Sequence, residues 1–231
     1  DDISSGLAIA QVYKLGQSAQ VKNLAINGYQ DNGTSVYNGS WNTEIGGDGM
    51  ECAVDYSNSS ILYGALYYGD IRRSTNGGQS FSKIADNGYN GINEDGAWVT
   101  PYCLHESTSS TMFAGYKNIW RSTNVTTASS SNVSWTKISN SLAGTNSEKM
   151  RVLDHNPVNA DMLYAARYDK KLFRSDNINA SSPSWTDLSS NLPSSAYHIT
   201  ALEAHPHYPT AVYMTQGHDV YKSTNTGASW T

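Results

Sequence analysis

Apolar positions along this chain come in short runs. Ile61-Leu-Tyr-Gly-Ala-Leu66, Thr111-Met-Phe-Ala-Gly115, Met162-Leu-Tyr-Ala-Ala166 and Ala211-Val-Tyr-Met214 are aliphatic or aromatic, and Gly, Asn, Asp and Ser separate each from the next run. Runs of this length and make-up, punctuated by turn formers, predict β-strands. No window keeps helical spacing for long, so the chain reads as all-β.

The runs repeat. Each is succeeded by a short polar break and then by Arg73-Ser-Thr-Asn-Gly-Gly-Gln-Ser-Phe81, Arg121-Ser-Thr-Asn124, Arg174-Ser-Asp-Asn177 or Lys222-Ser-Thr-Asn-Thr-Gly-Ala-Ser-Trp230. The serines of these segments, Ser74, Ser122, Ser175 and Ser223, stand 48, 53 and 48 residues apart. Asp55, His105, His155 and His205 precede the apolar runs in one register, which marks a strand-end turn. Phe81, Trp135, Trp185 and Trp230 close the segments, and a fainter first copy runs from Leu24 to Trp41. Five units result, at 1–42, 43–82, 83–136, 137–186 and 187–231. Four short strands per unit of this length is the pattern of a β-propeller blade. The extra length of the third unit falls inside the hairpin between Ser122 and Trp135, where a loop tip tolerates it.

The segment Ser-x-Asn-x-Gly-x-x-aromatic resembles the Asp-box of sialidase-like and sortilin-like propellers (the BNR repeat). Its residues here are Ser74, Asn76, Gly78 and Phe81; Ser122, Asn124 and Trp135; Ser175, Asn177 and Trp185; and Ser223, Asn225, Gly227 and Trp230. Asn folds its side chain back on turn backbone, Gly accepts a positive φ, and the aromatic packs between sheets. The two middle copies lack the box Gly, so their hairpins are expected to be less regular. The opening units, with Gly28-Tyr-Gln-Asp-Asn-Gly33 and Gly46-Gly-Asp-Gly-Met-Glu-Cys52, are also similar to propeller segments of secreted bacterial surface proteins and of xyloglucanase-type hydrolases. The resemblance implies a propeller and a place outside the cell, at the cell surface or secreted. It does not imply one activity, because the same box serves hydrolases, receptors and surface proteins. Asp1 to Leu7 match the stretch that comes after the box in internal copies, and such propellers have more than five blades. The expectation is therefore a segment of a larger ring.

In a propeller the turns between second and third strands gather at one mouth. Those turns carry Tyr29, Gln30, Tyr67, Tyr68, Tyr116, Arg167, Tyr168 and His218, and an inter-blade loop adds Trp98. Aromatic rings beside amides and carboxylates suit sugar binding, so these residues are the candidate ligand contacts. Asp31, Asp48, Glu51 and Asp95 are the candidate acids for a glycosidase pair. Asp48 also sits in Gly-Asp-Gly, where a turn role accounts for it. A sialidase would need an arginine triad at the mouth, whereas Arg73, Arg121 and Arg174 precede boxes and read as structural partners of neighbouring hairpins.

Composition narrows the function further. Net charge is -5 and the 15 basic residues are scattered, which argues against nucleic acid. Ser and Thr supply about a fifth of the chain and 16 Tyr stand against 3 Phe, so the surface is polar without being highly charged. No apolar run approaches the roughly 20 residues of a membrane span. Cys52 and Cys103 read as two thiols more readily than as a bridge. His205-Pro-His207 lacks a third ligand nearby, and neither a metal nor a cofactor is expected. The leading expectation is a non-catalytic binding or scaffold module that presents a Tyr-rich mouth to a glycan or a surface protein. A xyloglucanase-like glycoside hydrolase and a structural subunit of an extracellular assembly are the alternatives.

Overall fold

A computed structural model describes residues 10–140, 142, 148–195 and 197–231. Residues 1–9, which carry the match to a preceding repeat, lie outside them. The chain is all-β. The first sheet comprises β1 (Val12–Gln17), β2 (Leu24–Tyr29), β3 (Gly33–Asn38) and β4 (Trp41–Ile45), and the second β5 (Cys52–Val54), β6 (Leu62–Ala65), β7 (Ile71–Ser74) and β8 (Ser82–Ala85). The third holds β9 (Tyr102–His105), β10 (Thr108–Gly115), β11 (Ile119–Ser122) and β12 (Thr136–Lys137). The fourth holds β13 (Met150–His155), β14 (Leu163–Arg167), β15 (Leu172–Ser175) and β16 (Thr186–Asp187), and the fifth β17 (Ile199–Ala204), β18 (Val212–Gln216) and β19 (Asp219–Ser223). Within each sheet the strands lie in sequence order.

Four sheets have four strands and the fifth has three, where five four-stranded blades were expected. The difference is small. Thr231 and Lys222 exchange both backbone hydrogen bonds, at 2.8 and 2.9 Å, which is the pairing of Thr136 with Arg121 and of Thr186 with Arg174 in the sheets before.

The described residues fall into two compact units, those of 10–66 with 72–81, and those of 67–71 with 82–231. In the first, Leu24, Ile26 and Val36 of one sheet pack on Cys52, Val54 and Leu62 of the next, with Phe81 against them. In the second, Phe113 and Ile119 pack on Leu153, Leu163 and Phe173, and Tyr164, Ala166 and Leu172 on Leu202, Val212 and Met214. Every one of these side chains comes from a strand or its border, so within each unit neighbouring sheets meet face to face. Middle strands covered on both faces explain the continuous apolar runs: β6 and β14 are buried along their whole length. Each such large side chain contributes about 1.5–3 kcal/mol when fully buried.

The boxes tie consecutive sheets together. In each, the Ser Oγ donates to the Asn Oδ1, at 2.8, 3.0, 3.2 and 2.9 Å along the chain. The same Asn Oδ1 accepts the backbone N–H of Ser80, Ser134, Ser184 or Ser229, at 2.9 to 3.1 Å. Gly78 and Gly227 add an N–H bond to the box serine, at 2.9 and 2.8 Å, with φ of 89° and 85°. The middle copies keep the Ser–Asn–Ser pattern without that glycine. There Val125 and Ile178 enter the core instead, both with no exposed surface. The box aromatics face the preceding sheet: Trp135 Nε1 donates to Ile84 O at 2.8 Å and Trp185 Nε1 to Ile138 O at 3.1 Å. Arginines reach the next box along the chain, Arg121 to the Ile178 and Ala180 carbonyls and Arg174 to the Thr226 carbonyl.

The register of Asp55 and three histidines also has a structural basis. Asp55 Oδ1 accepts the Ser57 N–H at 2.7 Å, His105 Nδ1 the Ser107 N–H at 3.2 Å, and His205 Nδ1 the His207 N–H at 3.0 Å. In the fourth sheet Asn156 takes that turn, capping Val158, and His155 Nδ1 accepts the Glu106 N–H of the sheet before. Burial, with the adjacent His105 adding to it, lowers the His155 pKa to about 4, so the ring is neutral and able to accept.

Candidate functional site

Every turn expected to lie between a second and a third strand does so. Residues 30–32, 66–70, 116–118, 168–171 and 217–218 connect β2–β3, β6–β7, β10–β11, β14–β15 and β18–β19. The candidates on them divide between the two units.

In the first unit Tyr29 receives the Asn27 Nδ2 at its hydroxyl, at 2.9 Å, and stands edge-on to exposed Trp41, centroids 6.5 Å apart. Gln30 Oε1 accepts the Tyr13 hydroxyl at 2.5 Å. Asp31 adopts φ 61°, and Asp48 Oδ1 accepts its N–H at 2.6 Å, so the Asp48 carboxylate closes this turn. Gln30, Asp31 and Asn32 line a shallow depression of about 350 Å³. Glu51 is nearly buried and its carboxylate lies 3.4 Å from Lys14 Nζ. Burial raises its pKa to about 7, against the opposing pull of Lys14.

The second unit holds an aromatic cluster. Tyr67 and Trp98 stack with ring planes 8° apart and centroids at 5.2 Å. Tyr68 meets Trp98 edge-on at 5.5 Å and Tyr67 at 5.5 Å. All three are exposed, by 41% for Tyr67, 47% for Tyr68 and 37% for Trp98. Backbone bonds clamp the two segments together: the Tyr68 N–H donates to Ala97 O at 3.1 Å and the Gly96 N–H to Tyr68 O at 3.0 Å. Tyr68 sits at φ 62°, ψ 17°, the left-handed region that bulky residues avoid. Strain of this kind persists only where the surroundings over-determine the conformation, and it collects at ligand sites.

Beside the cluster Trp98, Ala97, Glu148, Lys149 and Tyr168 line an open depression of about 390 Å³. Lys149 Nζ lies 5.4 Å from the centroid of the Tyr68 ring and the Arg151 guanidinium 4.7 Å from that of Tyr168. His198 lies 5.7 Å from Tyr168, and burial with the Arg151 charge holds its pKa below the usual imidazole value. Exposed Tyr197 and His218 make a second edge-on pair at 5.4 Å. Arg151 occupies a β-bulge between Met150 and Val152, and equivalent irregularities fall at Tyr13 and Thr200 in the first and fifth sheets. A bulge re-aims one side chain of an otherwise alternating strand. In each of these three sheets that side chain meets a residue of the second strand or the turn after it: Gln30, Tyr168 or Thr215.

Two expected ligand contacts need correction. Tyr116 has no exposed surface; its hydroxyl donates to Gly69 O at 2.7 Å. Its ring occupies the space a Cβ on Gly69 would need. Arg167 is buried and spent internally, on the Asp169 carboxylate and on the Leu142 carbonyl. Among the acids, Asp95 is exposed and accepts the Asn87 Nδ2 at 2.8 Å. Its neighbour Glu94 accepts the Asn118 N–H and side-chain amide and the Trp120 indole. Burial opposes its charge, but these bonds and Lys137 outweigh it and lower the pKa. Glu51 and Asp95 belong to different units. Neither Cys52 nor Cys103 is in a disulfide, and Cys52 is buried. Among the described residues no group of three His, Cys, Asp or Glu is arranged to hold a metal ion, and no helix is long and apolar enough to cross a membrane.

Residue types alone did not reveal Lys149, Arg151, His198 and Tyr197. The only signal was the Lys-Met-Arg sequence 149–151 at the opening of an inner strand, with basic residues flanking an apolar one.

Repeated antiparallel sheets of four strands, packed face to face within each unit, are the blades of a β-propeller. Solved structures bear this out. The chain is similar to a GH74 enzyme of Niastella koreensis, with TM-score 0.69, 17% identity, and 95% of this chain matched to 38% of that one. It is similar to a GH74 xyloglucanase from Xanthomonas campestris, with TM-score 0.53 and 12% identity over 96% of this chain and 45% of that one. An ancestral GH74 enzyme matches with TM-score 0.52 and 15% identity, over 93% of this chain and 36% of that one. The chain thus spans less than half the length of each, and at these identities the likeness establishes the fold. No family model and no curated protein matches the chain.

Proposed function

We propose that the chain is a glycan-binding module that works outside the cell, and that it holds a polysaccharide against Tyr67, Tyr68, Trp98 and Tyr168. The observation that carries this reading is the stacked, exposed Tyr67–Trp98 pair beside a strained Tyr68. Flat aromatic faces match the C–H faces of pyranose rings, and the polar tips of Tyr and Trp serve the hydroxyls. The structural neighbours are glycoside hydrolases by name, one of them a xyloglucanase, which supports a carbohydrate ligand.

The second reading is a glycoside hydrolase. It is favoured by Glu51, whose pKa near 7 suits a general acid. Calorimetric titration with soluble polysaccharides, xyloglucan among them, together with reducing-sugar release, separates the two. Binding without release, lost in Trp98→Ala, is the expected result. Release abolished by Glu51→Gln moves the chain to the second reading. Absence of binding to any polysaccharide overturns the first and leaves a surface protein as the partner to seek.

A further inference from the structure

The depression beside the aromatic cluster of the second unit carries positive charge that the fold does not consume. Lys149 borders the depression and Arg151 flanks Tyr168 in its wall, and neither is ion-paired with a described residue. Arg167, Lys137, Lys171 and Arg174, by contrast, each have an acidic partner. The Nε of Arg151 is buried and makes no hydrogen bond. Its placement is built into the backbone, because the bulge in β13 directs residue 151 onto Tyr168. Contact with a ring face leaves the guanidinium edge and the ammonium protons free to donate. The acid among the lining residues is Glu148, and Asp169 nearby is taken by Arg167.

We propose that this depression takes an acidic polysaccharide. Lys149 and Arg151 bind the carboxylate of a uronic acid, and Trp98 and Tyr168 stack on its pyranose rings. A planar guanidinium beside an aromatic face fits a sugar carboxylate in two ways at once, by its paired N–H donors and by the ring it aligns. A neutral glycan needs the rings and has no use for the two cations. The inference deepens the glycan-binding reading and rests on it.

The test titrates the protein with polygalacturonate and with neutral xyloglucan, at low and at about physiological salt. Polygalacturonate is expected to bind more tightly and to weaken with salt. Lys149→Met and Arg151→Met are each expected to cost about tenfold in its affinity, several times more than either costs with xyloglucan. Lys222→Met, which removes the same charge from the far end of β19, is expected to change neither. Should Arg151→Met fail to fold, Lys149→Met carries the test by itself. Equal or tighter binding of xyloglucan, lost in Trp98→Ala and indifferent to both cations, overturns this inference and keeps the glycan-binding reading. An equal loss in Lys222→Met reduces the effect to net charge and also overturns it. If neither polymer binds, the glycan-binding reading falls first and this inference with it.

Discussion

The indole Nε1 of Trp135 donates to the carbonyl of Ile84 at 2.8 Å, and both residues are buried. One belongs to the box of the third sheet and the other to the last strand of the second, so a local turn motif ends as a fastening between blades. Trp185 repeats the bond to Ile138 one blade further on. Trp135→Phe keeps most of the packing and removes one of two side-chain donors to the Ile84 carbonyl, the other being Asn90 Nδ2 at 2.9 Å. The expected loss is about 0.5–1.5 kcal/mol, the net worth of one hydrogen bond, read as a lowered midpoint in thermal or denaturant unfolding. An unchanged midpoint would show that the indole bond does not stabilise this junction.

Gly69 and Tyr116 make a second such dependence. At φ 98°, with Tyr116 Cε1 in the way of an added Cβ, Gly69→Ala must move the ring or the turn. Overpacking alone costs about 1–3 kcal/mol, and the left-handed backbone adds to it. Because Gly69 is the residue after Tyr68, the variant is expected to weaken glycan binding as well as stability. Its near-ultraviolet circular dichroism would report the disturbed rings.

Asp154 lies on β13 with its Oδ2 accepting the Ala204 N–H of β17 at 2.7 Å. Burial raises its pKa to about 7; the Ala204 bond opposes this, and the carboxylates of Glu203 and Glu106 reinforce it. That folded value lies above the roughly 3.9 of an unfolded aspartate. The contribution is therefore fully present below about pH 4 and is lost as pH rises through about 7. Wild-type stability is expected to fall between about pH 4 and 7 in scanning calorimetry. Asp154→Asn keeps an acceptor for Ala204 and removes the charge, so its midpoint should exceed that of the wild type at the upper end. Parallel curves for the two proteins would count against this.

The platform itself is exposed, so its residues separate binding from folding. Trp98→Ala and Tyr67→Ala are each expected to cost about 2 kcal/mol of glycan affinity, some thirtyfold, with little change in unfolding midpoint. Tyr208→Ala, at a still more exposed tyrosine in the strand-end turn before β18, serves as the control and is expected to leave affinity unchanged.

Much of the fold was legible because it is written locally and five times over. The box serine and asparagine bond within the same turn, and the turns between second and third strands fall where the apolar runs stop. The middle boxes lack the glycine N–H bond to the box serine that Gly78 and Gly227 make, in line with their sequence, and Val125 and Ile178 are buried there instead. Tyr116 and Tyr68 occupy the same kind of turn and have opposite fates, one buried under Gly69 and one exposed beside Trp98. Nothing in the two tyrosines distinguishes them; what differs is the neighbouring chain each one meets.

The sequence by itself determined the repeat, the strand order within each sheet and the box turns, because those rest on residues close together in the chain and on apolar runs that must be buried. Tertiary structure alone decided which rings reach the surface, where β13 bulges to aim Arg151 at Tyr168, and which acids are spent on backbone. These depend on contacts between residues tens of positions apart, whose energies come from shared burial and shape, and no local pattern of residue types encodes them.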